Sequence, residues 1–228
     1  PKILQGGNIA KFDCVIANPP FSLENWGATE WSSDKYKRNI YGTPSDSCGD
    51  YAWIQHMICS MVSGQGRMAV VMPQGILFRN QETEIRKQLV ESDLIEAVVT
   101  LGDKLFYGTG LSPCFLIIRR MKPAHHSGRI LMIDGSKILT QKRAQNILEE
   151  NDIDRLYSLY QNYSDEEDYS RIVTLQEIRD KEYNLSPNRY VVYHKEEIRP
   201  YAEVLAEFKH AYEEVKRLEE EFSLLINA

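Results

Sequence analysis

The run Phe12-Asp-Cys-Val-Ile-Ala17 is succeeded at once by Asn18-Pro19-Pro20, and no other feature of the sequence restricts the fold as much. Consecutive prolines remove two backbone donors and hold φ at about −65°, so a strand cannot run through them. A short apolar run closed this way predicts a buried parallel strand ending in a rigid turn. The downstream pattern is consistent with such a strand. After Asp50, the residues Ile54, Met57, Ile58, Met61 and Val62 recur at helical spacing, Gly64 and Gly66 stop the helix, and Arg67 to Met72 is apolar enough for a second strand. Pro73-Gln74-Gly75 turns the chain, Glu82 to Ser92 reads as a helix with Ile85, Leu89 and Val90 on one face, and Ile95 to Leu101 reads as a third strand. Strands alternating with helices predict an α/β fold built on a parallel sheet.

Beyond that point the pattern changes. Cys114 to Ile118 is an apolar strand reached without an intervening helix, which predicts an antiparallel neighbour, and Arg129 to Ile133 reads as one strand more. Thr140 to Asn151 and Ile153 to Tyr163 read as helices, Asp165 to Asp168 as an acidic break, and Thr174 with Glu177 as a capping box opening a short helix. In the tail, Ile198, Tyr201, Leu205, Phe208, Tyr212 and Val215 recur at spacings of three and four, continued with one hitch by Leu218, Phe222 and Leu225. That is a long helix with one apolar stripe, which needs a surface to cover it, on its own domain or on another subunit.

Composition excludes several classes. Twenty-seven Lys and Arg against 33 Asp and Glu leave a net charge of −6, so bulk charge does not mark a nucleic-acid binder. Seven basic residues between Arg119 and Arg143, against Asp134 alone, form the one local patch that could steer phosphates. No apolar run is long enough for a membrane span, which predicts no membrane partner and a cytoplasmic protein. The four cysteines, 14, 48, 59 and 114, have neither disulfide nor metal-knuckle spacing, and no metal is expected. His125-His126 reads as surface.

The chemistry concentrates at Asn18-Pro19-Pro20-Phe21. At the carboxyl end of a parallel strand, these groups would face the crevice where ligands of open α/β sheets bind. An exocyclic amine on a nucleobase is a poor nucleophile because its lone pair is delocalised into the ring. The Asn18 carboxamide oxygen and the Pro19 carbonyl can accept its two hydrogens and so favour a geometry that frees the lone pair for an incoming methyl group. Pro19 and Pro20 hold the carbonyl rigidly, and Phe21 offers a face for an extruded base.

Asn18-Pro19-Pro20-Phe21 after Asp13-Cys-Val-Ile-Ala17 resembles motif IV of the amino-methyltransferases. Gly49-Asp50-Tyr51-Ala52-Trp53, Gly66 to Arg79, Leu105-Phe106-Tyr107-Gly108-Thr109-Gly110, Ser170 to Val173 with Glu177-Ile178, and Tyr183-Asn184-Leu185 with Arg189-Tyr190-Val191 come in an order that resembles the modification subunit of type I restriction-modification systems. The resemblance implies adenine-N6 DNA methylation from S-adenosylmethionine by base flipping, with DNA, a specificity subunit and a restriction subunit as partners in a hetero-oligomer. It implies that Asn18 and Pro19 hold the target amine, that Phe21 stacks on the adenine, and that Phe106 lies against its other side. Asp50 and Tyr51 open a helix near the site as substrate contacts, Asp50 alternatively as that helix's cap. The long loop from Ser22 to Gly49, with Trp26, Trp31, Lys35, Lys37 and Arg38, is a candidate to order on DNA.

In the family, the glycine-rich motif I that cradles the donor precedes motif IV. Here only Gln5-Gly6-Gly7-Asn8 stands upstream, too short for that role. The expectation is a C-terminal fragment, inactive alone, with an open edge on the Asp13 to Ala17 strand. Its parts would be a Rossmann-like methyltransferase half-domain over 1–135, a helical and mixed extension over 136–195 and a long amphipathic helix over 196–228. Methylation of a protein glutamine or of RNA, and a non-catalytic assembly module, are the alternatives.

Overall fold

The computed structural model describes residues 4–106, 110–143, 145–194 and 200–226; Tyr107, Gly108, Thr109 and Ile198, and the side chain of Leu225, lie outside the described residues. The chain divides into two compact units, 1–193 and 194–228.

The first unit opens with a hairpin of β1 (Leu4–Gln5) and β2 (Asn8–Ile9). It continues through β3 (Cys14–Ala17), α1 (Ala28–Ser32), α2 (Asp50–Ser60), β4 (Arg67–Pro73), α3 (Thr83–Glu91), β5 (Ile95–Leu101), β6 (Pro113–Arg119), β7 (Arg129–Gly135), α4 (Glu150–Asn162), β8 (Ser170–Thr174) and α5 (Leu175–Asp180). Six strands form one sheet in the order β3-β4-β6-β5-β7-β8. β3 pairs parallel with β4, and β5 with β7, while β6 inserts antiparallel between β4 and β5. The expected antiparallel strand is therefore real, but it separates two strands that the alternation places side by side, and the sheet is mixed. β8, which periodicity does not reveal, closes the far side antiparallel to β7.

Both faces are apolar because successive side chains point opposite ways. On one face, Met68, Val70 and Met72 of β4, Val98 of β5, and Leu116 and Ile118 of β6 pack against Ile54 and Ile58 of α2 and Leu89 of α3. On the other, Ala97 and Val99 of β5 and Leu131 and Ile133 of β7 pack against Leu159 of α4. This is why β5 is buried along its whole length.

Two expectations are corrected. β3 is not buried: Val15 and Ala17 pack on the first core, but Cys14 and Ile16 are exposed, Ile16 at 77%. It is an edge strand, bonded among the described residues only to β4, and nothing there covers its second face. Of the helix expected over Thr140 to Asn151, the described residues before Glu150 form no part. Thr140 and Ile147 exchange both backbone hydrogen bonds instead, and a helix forms only from Glu150, where Glu149 and Asp152 make a reciprocal capping box. The capping box at Thr174 and Glu177 opens α5 as expected.

The second unit carries α6 (Tyr201–Ile226), in which Phe208, Tyr212, Val215, Leu218 and Phe222 of the stripe are exposed. No helix among the described residues is long and apolar enough to cross a membrane.

Candidate functional site

β3, β4, β5 and β7 all run in the same direction, so Asn18, Gln74 and Gly102 leave the sheet at one edge. Asn18 stands exposed immediately after the last β3 residue; Pro19 is buried, Pro20 exposed and Phe21 half-buried. The Phe21 ring meets the Phe106 ring edge-on, at 6.1 Å between centroids and 83° between planes. Phe106 is 85 residues away in sequence and arrives on the segment after β5. Tertiary structure thus places together the asparagine-proline turn and two aromatic rings.

Phe21 is held from behind. Ser22 sits at φ +49°, a left-handed conformation that a serine rarely adopts, and its N–H donates to Asp50 Oδ1 at 2.7 Å. Asp50 is the first residue of α2 and fully buried. Gly49 occupies the cap position without a side-chain bond, so Asp50 is not the helix cap. Its second oxygen receives Arg79 Nη2 at 2.5 Å and the Cys48 thiol at 3.1 Å. Arg79 reaches this position across Gly75, where a Cβ would stand 3.1 Å from its Nε.

The same cluster shifts its neighbours. Burial, reinforced by the side-chain bond to Asp50 and its charge, pushes the Cys48 thiol up to about 11. Burial likewise raises the Glu82 carboxyl above the carboxylate range, although Arg79 Nε lies 3.1 Å from it. For Arg79, burial opposes the charge, but the bond to Asp50 and the charge of Glu82 outweigh it and raise the guanidinium further. Tyr51, expected at the substrate, is a core residue at 1% exposure, its hydroxyl donating to the Ile76 carbonyl at 2.9 Å.

Phe106 is held by residues that sequence reasoning placed in a helix. Gln145 Nε2 donates to the Leu105 carbonyl at 3.0 Å, Asn146 N–H to the Lys104 carbonyl at 3.1 Å and Asn146 Nδ2 to the Asp103 carbonyl at 3.1 Å. Gln74 Nε2 fastens both ends of the same segment through the carbonyls of Leu101, at 2.9 Å, and Pro113, at 3.2 Å. No spacing signals these contacts, which span about 30 to 40 residues.

Two candidate nucleic-acid features are mostly engaged internally. In the basic stretch, Arg119 pairs with Glu96, Lys122 with Asp93 and Lys142 with Glu149, and Arg120 donates to the Ile58 carbonyl. In the long loop, Arg38 grips Asp34 through two nitrogens and lies 4.6 Å from the Trp31 ring, itself buried. The Gly6-Gly7 pair is the two-residue turn of the β1–β2 hairpin, with φ of +57° and +80°. It leads into a strand, not a helix, so it offers no helix N-terminus to the carboxylate of S-adenosylmethionine.

The chain is 36% identical to the type I restriction enzyme MjaVII methylase subunit of Methanocaldococcus jannaschii over 97% of its own length and 39% of that protein's. It is 31% identical to the HindI methylase subunit of Haemophilus influenzae, over 79% of this chain and 42% of that one. The chain therefore spans about two-fifths of the length of these relatives. The crystal structure of the type I restriction-modification system methyltransferase subunit from Streptococcus thermophilus superposes with a TM-score of 0.74 at 29% identity, over 81% of this chain and 39% of that one. The family model of the N-6 DNA methylases matches residues 4–198. With that match running from the first strand past the capping box and the turn at Tyr190, the chain belongs to the N-6 DNA methylase family.

Proposed function

We propose that this chain is the part of a type I modification subunit that receives a flipped adenine and presents its N6 amine for methylation. The observation that carries the reading is the meeting of Phe21 and Phe106 beside the exposed Asn18. The two rings are the walls between which the base is sandwiched, and each offers a π-face that any base can stack on. Asn18 Oδ1 and the Pro19 carbonyl accept the two amine hydrogens, drawing the nitrogen toward tetrahedral geometry with its lone pair directed out of the ring plane. Because the Pro19 carbonyl is held by ring constraint and burial before the base arrives, that acceptor needs little reorganisation in the transition state. No covalent bond to the protein is required. S-adenosylmethionine supplies the methyl group, and its cradle comes from parts of the longer protein.

The partners in this reading are DNA and the specificity and restriction subunits of a cytoplasmic hetero-oligomer. In this reading the chain comprises a catalytic half-domain over 1–135, an extension over 136–195 and the tail helix over 196–228, whose exposed stripe is an assembly surface.

The test is methylation of duplex DNA by the longer methylase, with the product bases identified by mass spectrometry. N6-methyladenine, lost on Asn18→Ala with donor affinity retained, is the expected result. Methylation of glutamine or RNA instead, or wild-type turnover in Asn18→Ala, would overturn the assignment. Calorimetric titration of S-adenosylmethionine into this chain should give no heat.

A further inference from the structure

Resting on that reading, we infer that Asp50, ion-paired with Arg79, is a positioning residue: it fixes the Phe21 wall of the base slot through the Ser22 backbone and does not touch the base. Asp50 is fully buried, so a direct contact to substrate is closed to it. Its bond to the Ser22 N–H acts one residue beyond Phe21. Ser22 adopts a left-handed φ of +49°, an arrangement that persists only where the surroundings impose it. A carboxylate supplies that constraint better than a neutral acceptor, since a charge-assisted hydrogen bond is about twice as strong as a neutral one. The charge is in turn supported by Arg79 Nη2 at 2.5 Å and by the α2 N-terminus, whose dipole favours an anion.

Arg79 is itself fixed. Its Nη1 donates to Cys48 Sγ at 3.0 Å, Nε lies 3.1 Å from Glu82, and its carbonyl accepts from the buried Arg86 at 2.9 Å. The cluster thereby ties the turn after β3 to the segment after β4, two strand ends that the sheet merely places side by side. Breaking it leaves Asn18, which comes directly after β3, in position and frees Phe21.

Ring-to-ring nuclear Overhauser contacts between Phe21 and Phe106 in this chain test the inference without any assay of activity. The wild type should show the contact, Asp50→Asn should lose it, and Arg79→Lys should weaken it. A folded Asp50→Asn with wild-type ring contacts overturns the inference, as does their absence in the wild type. Should Asp50→Asn fail to fold, full-strength contacts in Arg79→Lys overturn it equally. In the longer methylase, kcat per folded molecule should fall at least tenfold in Asp50→Asn with the donor KM unchanged. A merely structural role would lower the melting temperature and leave kcat per folded molecule intact. A wild-type enzyme that methylates no DNA would sink the proposed function, while the ring contacts would still decide the role of Asp50.

Discussion

Phe21 and Phe106 stand edge to face at 6.1 Å between centroids, one of the two arrangements that aromatic pairs prefer over a face-to-face sandwich. A base sandwiched between two parallel faces needs about 7 Å, twice the contact distance of stacked carbons. Under the proposed function, seating a base would require the rings to part by about 1 Å and one of them to rotate, exchanging their mutual contact for contact to the base.

Truncating one wall should cost the stacking of one face. Phe106→Ala in the longer methylase should lower methyl transfer by about 5- to 150-fold, from roughly 1–3 kcal/mol per stacked base. Phe106→Tyr should stay near wild type. Fluorescence of 2-aminopurine at the target position would register the loss of insertion, and unchanged signal and rate in Phe106→Ala would remove Phe106 from the slot.

Asn18 is exposed, and its side chain makes no hydrogen bond among the described residues. Asn18→Ala should leave the melting temperature of this chain within a degree or so while lowering transfer by roughly 10²–10³, the usual loss for one preorganised polar group. A clear drop in melting temperature would mean that Asn18 supports the turn instead.

The Phe106 segment depends on Asn146, which bonds it through both main chain and side chain. Asn146→Ala removes the side-chain bond and should cost about 1 kcal/mol. Amide exchange should quicken over 103–106 and stay unchanged in β5. Uniform protection in the variant would show that the segment is held elsewhere.

Burial holds the Glu82 carboxyl above its ordinary value, so folding takes up a proton there at pH values between the unfolded and the raised one. Its ionisation destabilises the fold at neutral pH, and the penalty fades as pH falls through the raised value toward the unfolded value of about 4.3. Glu82→Gln should accordingly melt higher than wild type at neutral pH, with the gap closing in mild acid. Melting curves across that range check this; a lower melting temperature for Glu82→Gln at neutral pH would mean that Arg79 dominates.

β3 offers an edge bonded on one side only among the described residues, with Ile16 exposed on it. Such edges recruit other strands. The isolated chain should self-associate with rising concentration in sedimentation, and Ile16→Lys should suppress this; equal association of both would place the contact elsewhere.

The stop of β3 at Asn18-Pro19-Pro20 was legible because it is local. Two prolines after an apolar run stop a strand wherever the chain goes, and Thr174 with Glu177 caps a helix within four residues. β4 to β7 were legible for the same reason, since burial imposes apolar runs; β8 was not. The order of those strands was not: nothing near Cys114 marks that β6 inserts between β4 and β5. The helix expected at Thr140 failed because Thr140 and Ile147 pair with each other while Gln145 and Asn146 bond to a segment some 40 residues away, and propensity yields to such pairing.

Sequence alone determined the α/β class and the place where the first strand of the sheet stops. Tertiary structure decided the rest. It buried Tyr51 in the core, made Asp50 a brace instead of a contact, and brought Phe106 across the sheet edge to Phe21. The physical reason is range: φ constraints and periodicity act over a few residues, whereas a slot between two rings exists only once the strands carrying them lie in register.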